Sequence, residues 1–137
     1  MYATGVTIGN VLYANGSATV CQSTILAVSS VSAGGSLEVG GPDCQGGNTI
    51  TGSLAISNDN NNVWVWGNKI KSYGTVKGGH GATDSIVGNI VGNLYVVNSG
   101  PVFVKDNHAK TGSLKCTNDN PLTGSGNTAG VVNTCPH

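Results

Sequence analysis

One phrase constrains this chain more than any other. Thr51-Gly52-Ser53-Leu54-Ala55-Ile56-Ser57-Asn58-Asp59-Asn60 returns as Thr111-Gly112-Ser113-Leu114-Lys115-Cys116-Thr117-Asn118-Asp119-Asn120, with seven of ten positions identical. A looser copy, Val91-Gly92-Asn93-Leu94-Tyr95-Val96-Val97-Asn98, lies between them. The copies share a glycine, a small polar residue, an apolar residue and then alternation. Gly35-Ser36-Leu37 and Gly74-Thr75-Val76 extend the series as degraded copies, so that glycines at 35, 52, 74, 92 and 112 recur about every 20 residues. Val63-Trp64-Val65-Trp66-Gly67-Asn68 likewise returns as Val102-Phe103-Val104-Lys105-Asp106-Asn107.

Repetition at this period is the mark of a solenoid. Apolar residues alternate with others in short runs, which is a strand signal, and Gly and Asn punctuate the runs. No helical period is sustained. The sequence therefore predicts an all-β, single-domain parallel β-helix (β-solenoid) with coils of about 20 residues, in which Leu54, Val76, Leu94 and Leu114 share one interior column. Gly and Asn are expected at corners of positive φ, and stacked Asn side chains are able to form ladders between coils. An antiparallel β-sandwich accounts equally well for the strand lengths, but not for whole phrases recurring at one spacing.

The 137 residues fit one domain of about six coils. Residues 1–20 are expected to form an N-terminal coil or cap, and residues 121–137 a C-terminal cap. Charged residues make up 9% of the chain, sum to zero and include no arginine, which leaves no footprint for nucleic acid. Patterned apolar residues, 38% of the chain, argue against disorder. No run is long enough to span a membrane as a helix. The start, Met1-Tyr2-Ala3-Thr4-Gly5, lacks the basic and apolar regions of a signal peptide, and the expectation is that such a leader has been removed.

Four cysteines permit three pairings. Cys21 and Cys44 lie about one coil apart, as do Cys116 and Cys135. Residues one coil apart in a parallel solenoid stack at about 4.8 Å, within disulfide reach. The expected bridges are Cys21–Cys44 and Cys116–Cys135, one near each end. No pair has Cys-x-x-Cys spacing, and only His137 lies beside a cysteine, so no metal site is expected. Disulfides imply an oxidising compartment, hence a secreted or cell-surface protein.

The closing run, from Leu114-Lys115-Cys116 through Asn118-Asp119-Asn120-Pro121 and Thr123-Gly124-Ser125-Gly126-Asn127-Thr128 to Cys135, resembles the C-termini of small secreted actinobacterial proteins. The resemblance covers the last quarter of the chain. It implies secretion and the terminal disulfide, and it carries no catalytic residue across.

Polysaccharide lyases and hydrolases are common among parallel β-helices, so catalysis has to be weighed. The six acids, Glu38, Asp43, Asp59, Asp84, Asp106 and Asp119, are scattered, whereas glycoside hydrolysis needs two carboxylates flanking the scissile bond. Asp59 and Asp119 fall in matched corners where a turn role suffices. Asp106-Asn107-His108 is the nearest approach to a partial site, and His80 sits in the Gly-rich stretch Gly78-Gly79-His80-Gly81. Neither makes a constellation. The sequence predicts no catalytic residue and no cofactor.

The best candidate surface is aromatic. Trp64 and Trp66 alternate with Val63 and Val65, so both indoles share one strand face, outward and about 7 Å apart. Phe103 matches Trp64 in the second phrase, and Tyr73 and Tyr95 are further candidates. Such a face suits a homo-oligomer or filament contact or sugar stacking. The expected function is a non-catalytic structural or self-assembly module that is secreted or displayed on the cell surface. Polysaccharide binding through the surface Trp and Tyr residues is the alternative, and a small polysaccharide-active enzyme a third.

Overall fold

The structure, a computed structural model, describes residues 1–14, 16–31, 36–57, 62–77, 84–97 and 100–137. In chain order the strands are β1 (Tyr2–Thr4), β2 (Thr7–Ala14), β3 (Ala18–Cys21), β4 (Thr24–Val31), β5 (Leu37–Val39), β6 (Thr49–Ile50), β7 (Leu54–Ser57) and β8 (Val63–Trp66). They continue as β9 (Lys69–Lys77), β10 (Asp84–Val87), β11 (Ile90–Val97), β12 (Val102–Lys105), β13 (His108–Ala109), β14 (Leu114–Thr117), β15 (Leu122–Ser125) and β16 (Thr128–Ala129). Seven strands stack in the order β1-β3-β5-β8-β10-β12-β15 and form sheet A; the other nine form sheet B. The strand pairings are parallel. The chain is therefore a β-solenoid, and the antiparallel sandwich is excluded.

Alternation sets the inside of each sheet. In β8 and β12 the valines are buried, while Trp64, Trp66, Phe103 and Lys105 face outward. Stacking makes columns. Ile25, Ile50 and Ile70 pair in succession across β4, β6 and β9, and Val20, Val39 and Val65 do so across β3, β5 and β8. Like side chains thus stack one strand spacing apart through the interior.

From the second turn onward, each passage from sheet A to sheet B runs through a corner that points a side chain inward. The residue before that side chain lies in the left-handed region at Gln22, Gly67, Gly88, Asp106 and Gly126. Such a φ costs glycine little. The inward residues that follow are Ser23, Asn68, Asn89, Asn107 and Asn127, and Asn48 joins them; all are buried. The asparagines form one continuous ladder. Asn48 Nδ2 donates to Asn68 Oδ1 at 2.9 Å, Asn68 Nδ2 to Asn89 Oδ1 at 3.0 Å, Asn89 Nδ2 to Asn107 Oδ1 at 2.8 Å, and Asn107 Nδ2 to Asn127 Oδ1 at 3.0 Å. Each acceptor oxygen also takes the backbone N–H of the preceding rung. The second amide hydrogen goes to a carbonyl of sheet A, at Val20, Val39, Val65, Ile86 and Val104 in turn. The sequence allows for an asparagine ladder without saying which asparagines form it.

Two members of the repeat occupy other places than expected. Leu54 pairs with Gly74, and Gly74 with Leu94, which pairs with Leu114. Val76 lies in the next column, between Ile56 and Val96. Against the preceding turn β9 keeps one register, Ile50 with Ile70 and Leu54 with Gly74; against β11 it carries one extra residue, since Ile70 pairs with Val91 and Tyr73 with Asn93 and three steps face two in a β-bulge. Ser72, not Gly74, is thereby level with the motif glycines, its N–H donating to Gly52 O at 3.1 Å. Leu37 belongs to sheet A, beside Ala18 and Val63; Gly35 lies outside the described residues. The glycines of the repeat are not left-handed either. They are required by close approach, since a Cβ on Gly112 would lie 1.8 Å from Gly92 O, and one on Gly92 2.1 Å from Ser72 O.

Both disulfides form as the spacing predicts. Cys21–Cys44 has a Cα separation of 5.4 Å and ties down residues 41–47, which are inserted between the corner at Gly40 and Asn48. Cys116 occupies the interior column below Val96, and its bridge to Cys135, with Cα atoms 4.9 Å apart, holds the tail across the last turn. Residues 121–129 continue the winding as β15 and β16, so only 130–137 lie over the end. There the N–H of Leu114 donates to Val132 O and that of Thr134 to Leu114 O, and Asn127 Nδ2 reaches Pro136 O, closing the ladder.

Two expectations follow from the ladder and the glycines. Asn89→Ala removes a buried acceptor and a double donor at once, and leaves the Asn68 N–H and the Val65 carbonyl without these partners. It is expected to cost about 2–4 kcal/mol in urea unfolding; a loss below about 0.5 kcal/mol, the scale of an ordinary surface change, would contradict a stabilising ladder. Gly112→Ala drives a methyl into backbone and is expected to cost about 1–3 kcal/mol. Gly9→Ala, where nothing lies within 4 Å, is expected to change stability by less than about 1 kcal/mol, and equal effects at the two sites would refute the close-approach account.

Candidate functional site

The outer face of sheet A is built by strand register. Glu38, Trp64, Ser85, Phe103 and Thr123 form one column, and Trp66, Val87, Lys105 and Ser125 the next. Trp64, Trp66 and Phe103 point outward and are half-buried. The indole of Trp66 donates to Ser85 Oγ at 3.0 Å, and its ring walls a hollow of about 280 Å³ against the inserted loop at Gly41, Cys44 and Gly46. Glu38 lies beneath that loop: its carboxylate accepts from Thr19 Oγ1 at 3.4 Å and from the Asp43 N–H at 3.3 Å.

The aromatic set expected to act together is divided. Trp64, Trp66 and Phe103 belong to sheet A, whereas Tyr73 and Tyr95 lie on β9 and β11 of sheet B. The outer faces of the two sheets look away from each other across the shared core, so one ligand of modest size cannot touch both groups. Sequence order hides this division, because Trp66 and Tyr73 lie within a few residues of each other and the corner at Gly67-Asn68 separates them.

The carboxylates are equally dispersed. Asp84 is buried at the start of β10, beside Val102 in the interior column of sheet A, a placement its sequence neighbours do not announce. Asp106 occupies a left-handed corner and lies 3.8 Å from Lys105 Nζ. Asn107 belongs to the buried ladder, and His108 faces Thr128 on the surface, so the three residues of that segment point different ways. Asp119 accepts the Thr117 N–H at 3.1 Å in the turn role expected of it. Asp59 and His80 lie outside the described residues. Among the described residues no group of three His, Cys, Asp or Glu is placed to hold a metal ion.

Sheet B carries a surface that sequence reasoning missed. Lys69, Lys71, Lys77 and Lys115 are exposed on β9 and β14, and Lys110 directly follows β13. Among the described residues, no strand of sheet B contains Asp or Glu. Where the sheet bends past β6, a groove of about 440 Å³ runs over Ile90 and Gly92, with Lys69 and Lys71 on its wall and Thr49, Thr51 and Thr111 along its sides. Ile90 is 51% exposed, and it pairs with Lys69 on one side and His108 on the other. A zero net charge conceals this arrangement, and only the winding register brings the lysines together.

No protein-family model, curated protein or solved structure matches the chain.

Proposed function

We propose that the chain is a non-catalytic structural module, a stiff rod secreted or held at the cell surface, which associates with further copies through the aromatic face of sheet A. Support for the rod comes chiefly from the asparagine ladder, which connects successive turns from Asn48 to Asn127 through buried amide bonds. Disulfides fasten a loop near one end and the tail at the other, and favour an oxidising setting. For association, the half-buried Trp64, Trp66 and Phe103 supply a patch of the composition enriched at protein contacts, and the charge on sheet A is sparse enough to offer little repulsion.

The second reading, carbohydrate binding at the same face, rests on the outward pair Trp64 and Trp66 on one strand, a spacing open to sugar-ring stacking. Analytical ultracentrifugation over a concentration series separates the two. Assembly predicts a sedimentation coefficient that rises with concentration in the native chain and stays at the monomer value in Trp64→Ser/Trp66→Ser. A native chain that remains monomeric at its highest soluble concentration overturns the assembly reading. A change in Trp fluorescence with a neutral polysaccharide, absent in the double variant, would then favour the sugar reading.

A further inference from the structure

We infer that the groove on sheet B is a binding site for a linear acidic polysaccharide, a polymer of carboxylate-bearing sugars. The argument is independent of the assembly reading, because it concerns the opposite outer face. Five of the six lysines lie on or directly beside sheet B, and the sixth, Lys105, is the one that pairs with a carboxylate among the described residues. A face with several cations and no strand-borne acid attracts a polyanion at long range and holds it at short range.

The groove matches a sugar chain in shape and chemistry. It follows the bend of the sheet across successive turns, so it runs with the stack and suits an extended polymer. Its floor is aliphatic at Ile90, and Gly92, whose backbone packs so closely that a Cβ would clash with Ser72 O, adds no side chain to it. Lys69 and Lys71, outward on one strand, are about 7 Å apart. Lys69 and Lys71 are the cations of the lining, and Lys110 precedes the lining residue Thr111 in the chain. The hydroxyls of Thr49, Thr51 and Thr111 provide neutral partners for sugar hydroxyls. Single-stranded nucleic acid is held by aromatic stacking as well as charge. Here the floor is aliphatic, which favours the uronate polymer over an oligonucleotide.

The test measures binding of the disulfide-intact chain to polygalacturonate, to neutral amylose of similar length and to an oligothymidylate, at low salt and then with added salt. The expected result is binding to polygalacturonate that weakens as salt rises, no binding to amylose, and weaker binding to the oligonucleotide. Lys69→Gln/Lys71→Gln is expected to weaken polygalacturonate binding about tenfold, whereas Lys105→Gln on sheet A leaves it unchanged. All three substitutions are at the surface, and unaltered circular dichroism and thiol content establish that each variant folds. Ile90→Asp, which places a carboxylate on the floor, is expected to abolish binding. No polygalacturonate binding at low salt, equal loss from Lys105→Gln, or tighter binding of the oligonucleotide would overturn the proposal.

Discussion

From the second turn onward the chain brings backbone to an inward corner, away from water, and from Asn48 on the side-chain amide of asparagine is the group that fits there. It carries an acceptor with two lone pairs and two donors, and each of the four rungs from Asn48 to Asn107 uses both donors. From Asn68 on, its oxygen takes the N–H and the amide of the previous turn, while its nitrogen reaches the next turn and a carbonyl of sheet A. Glutamine is longer and would not hold the same spacing, serine lacks the second donor, and aspartate would bury a charge. The ladder starts from Ser23, whose N–H donates to Asn48 Oδ1 at 3.0 Å, and ends where Asn127 meets the tail. A chain of amides polarised in one direction is cooperative, so removing one rung affects its neighbours as well as itself.

The ladder also explains how a solenoid of such uneven turns remains in register. Successive rungs are separated by 25, 20, 21, 18 and 20 residues. The longest interval contains the disulfide-tied insertion before Asn48, and the next longest, 21, contains the bulge in β9. The extra residues are absorbed between rungs, and the chain returns each time to an asparagine. The strands alone do not enforce this, because a slip of two residues keeps every apolar side chain inside.

That ambiguity decides how much of the fold is legible in the sequence. Gly52-Ser53-Leu54, Gly92-Asn93-Leu94 and Gly112-Ser113-Leu114 align as their likeness suggests, the first two through Ser72 and Gly74 of β9 and the last two directly. Gly74-Thr75-Val76 has the same grammar two residues late: alternation of period two is blind to the offset, and only the pairing of Tyr73 with Asn93 reveals it. Asn48, Asn68, Asn89 and Asn127 each follow a glycine, and Asn107 follows the left-handed Asp106. The recurring Gly-Asn pair is a legible signal, but Gly9-Asn10 and Gly92-Asn93 carry it inside strands of sheet B, so the pair alone does not pick out the rungs. The cysteines are legible for the opposite reason, because a bridge needs only one distance and one coil supplies it. Of the candidate surface, the outward sense of Trp64, Trp66 and Phe103 follows from alternation within single strands. Which residues share a sheet does not, and the tyrosines are misplaced for that reason.

The lysines carry the same argument from structure to function. In sequence they are spread from Lys69 to Lys115 among residues of no net charge, and composition alone makes them a neutral scatter. Winding converts that separation into stacking: positions one turn apart become neighbours at about 4.8 Å, so lysines of β9, β14 and the segment after β13 gather on one sheet, and the two at the start of β9 line the groove. The acids are drawn elsewhere, to the covered column of Glu38, to the interior at Asp84 and to corners at Asp106 and Asp119. Because the charges are few, each placement weighs heavily on the local field, which a more highly charged surface would blur by mutual screening. The rod therefore presents two outer faces of different character, one aromatic and nearly uncharged, the other cationic. Since they point away from one another across a common core, the acidic polymer and the second copy of the chain that we propose would occupy separate faces.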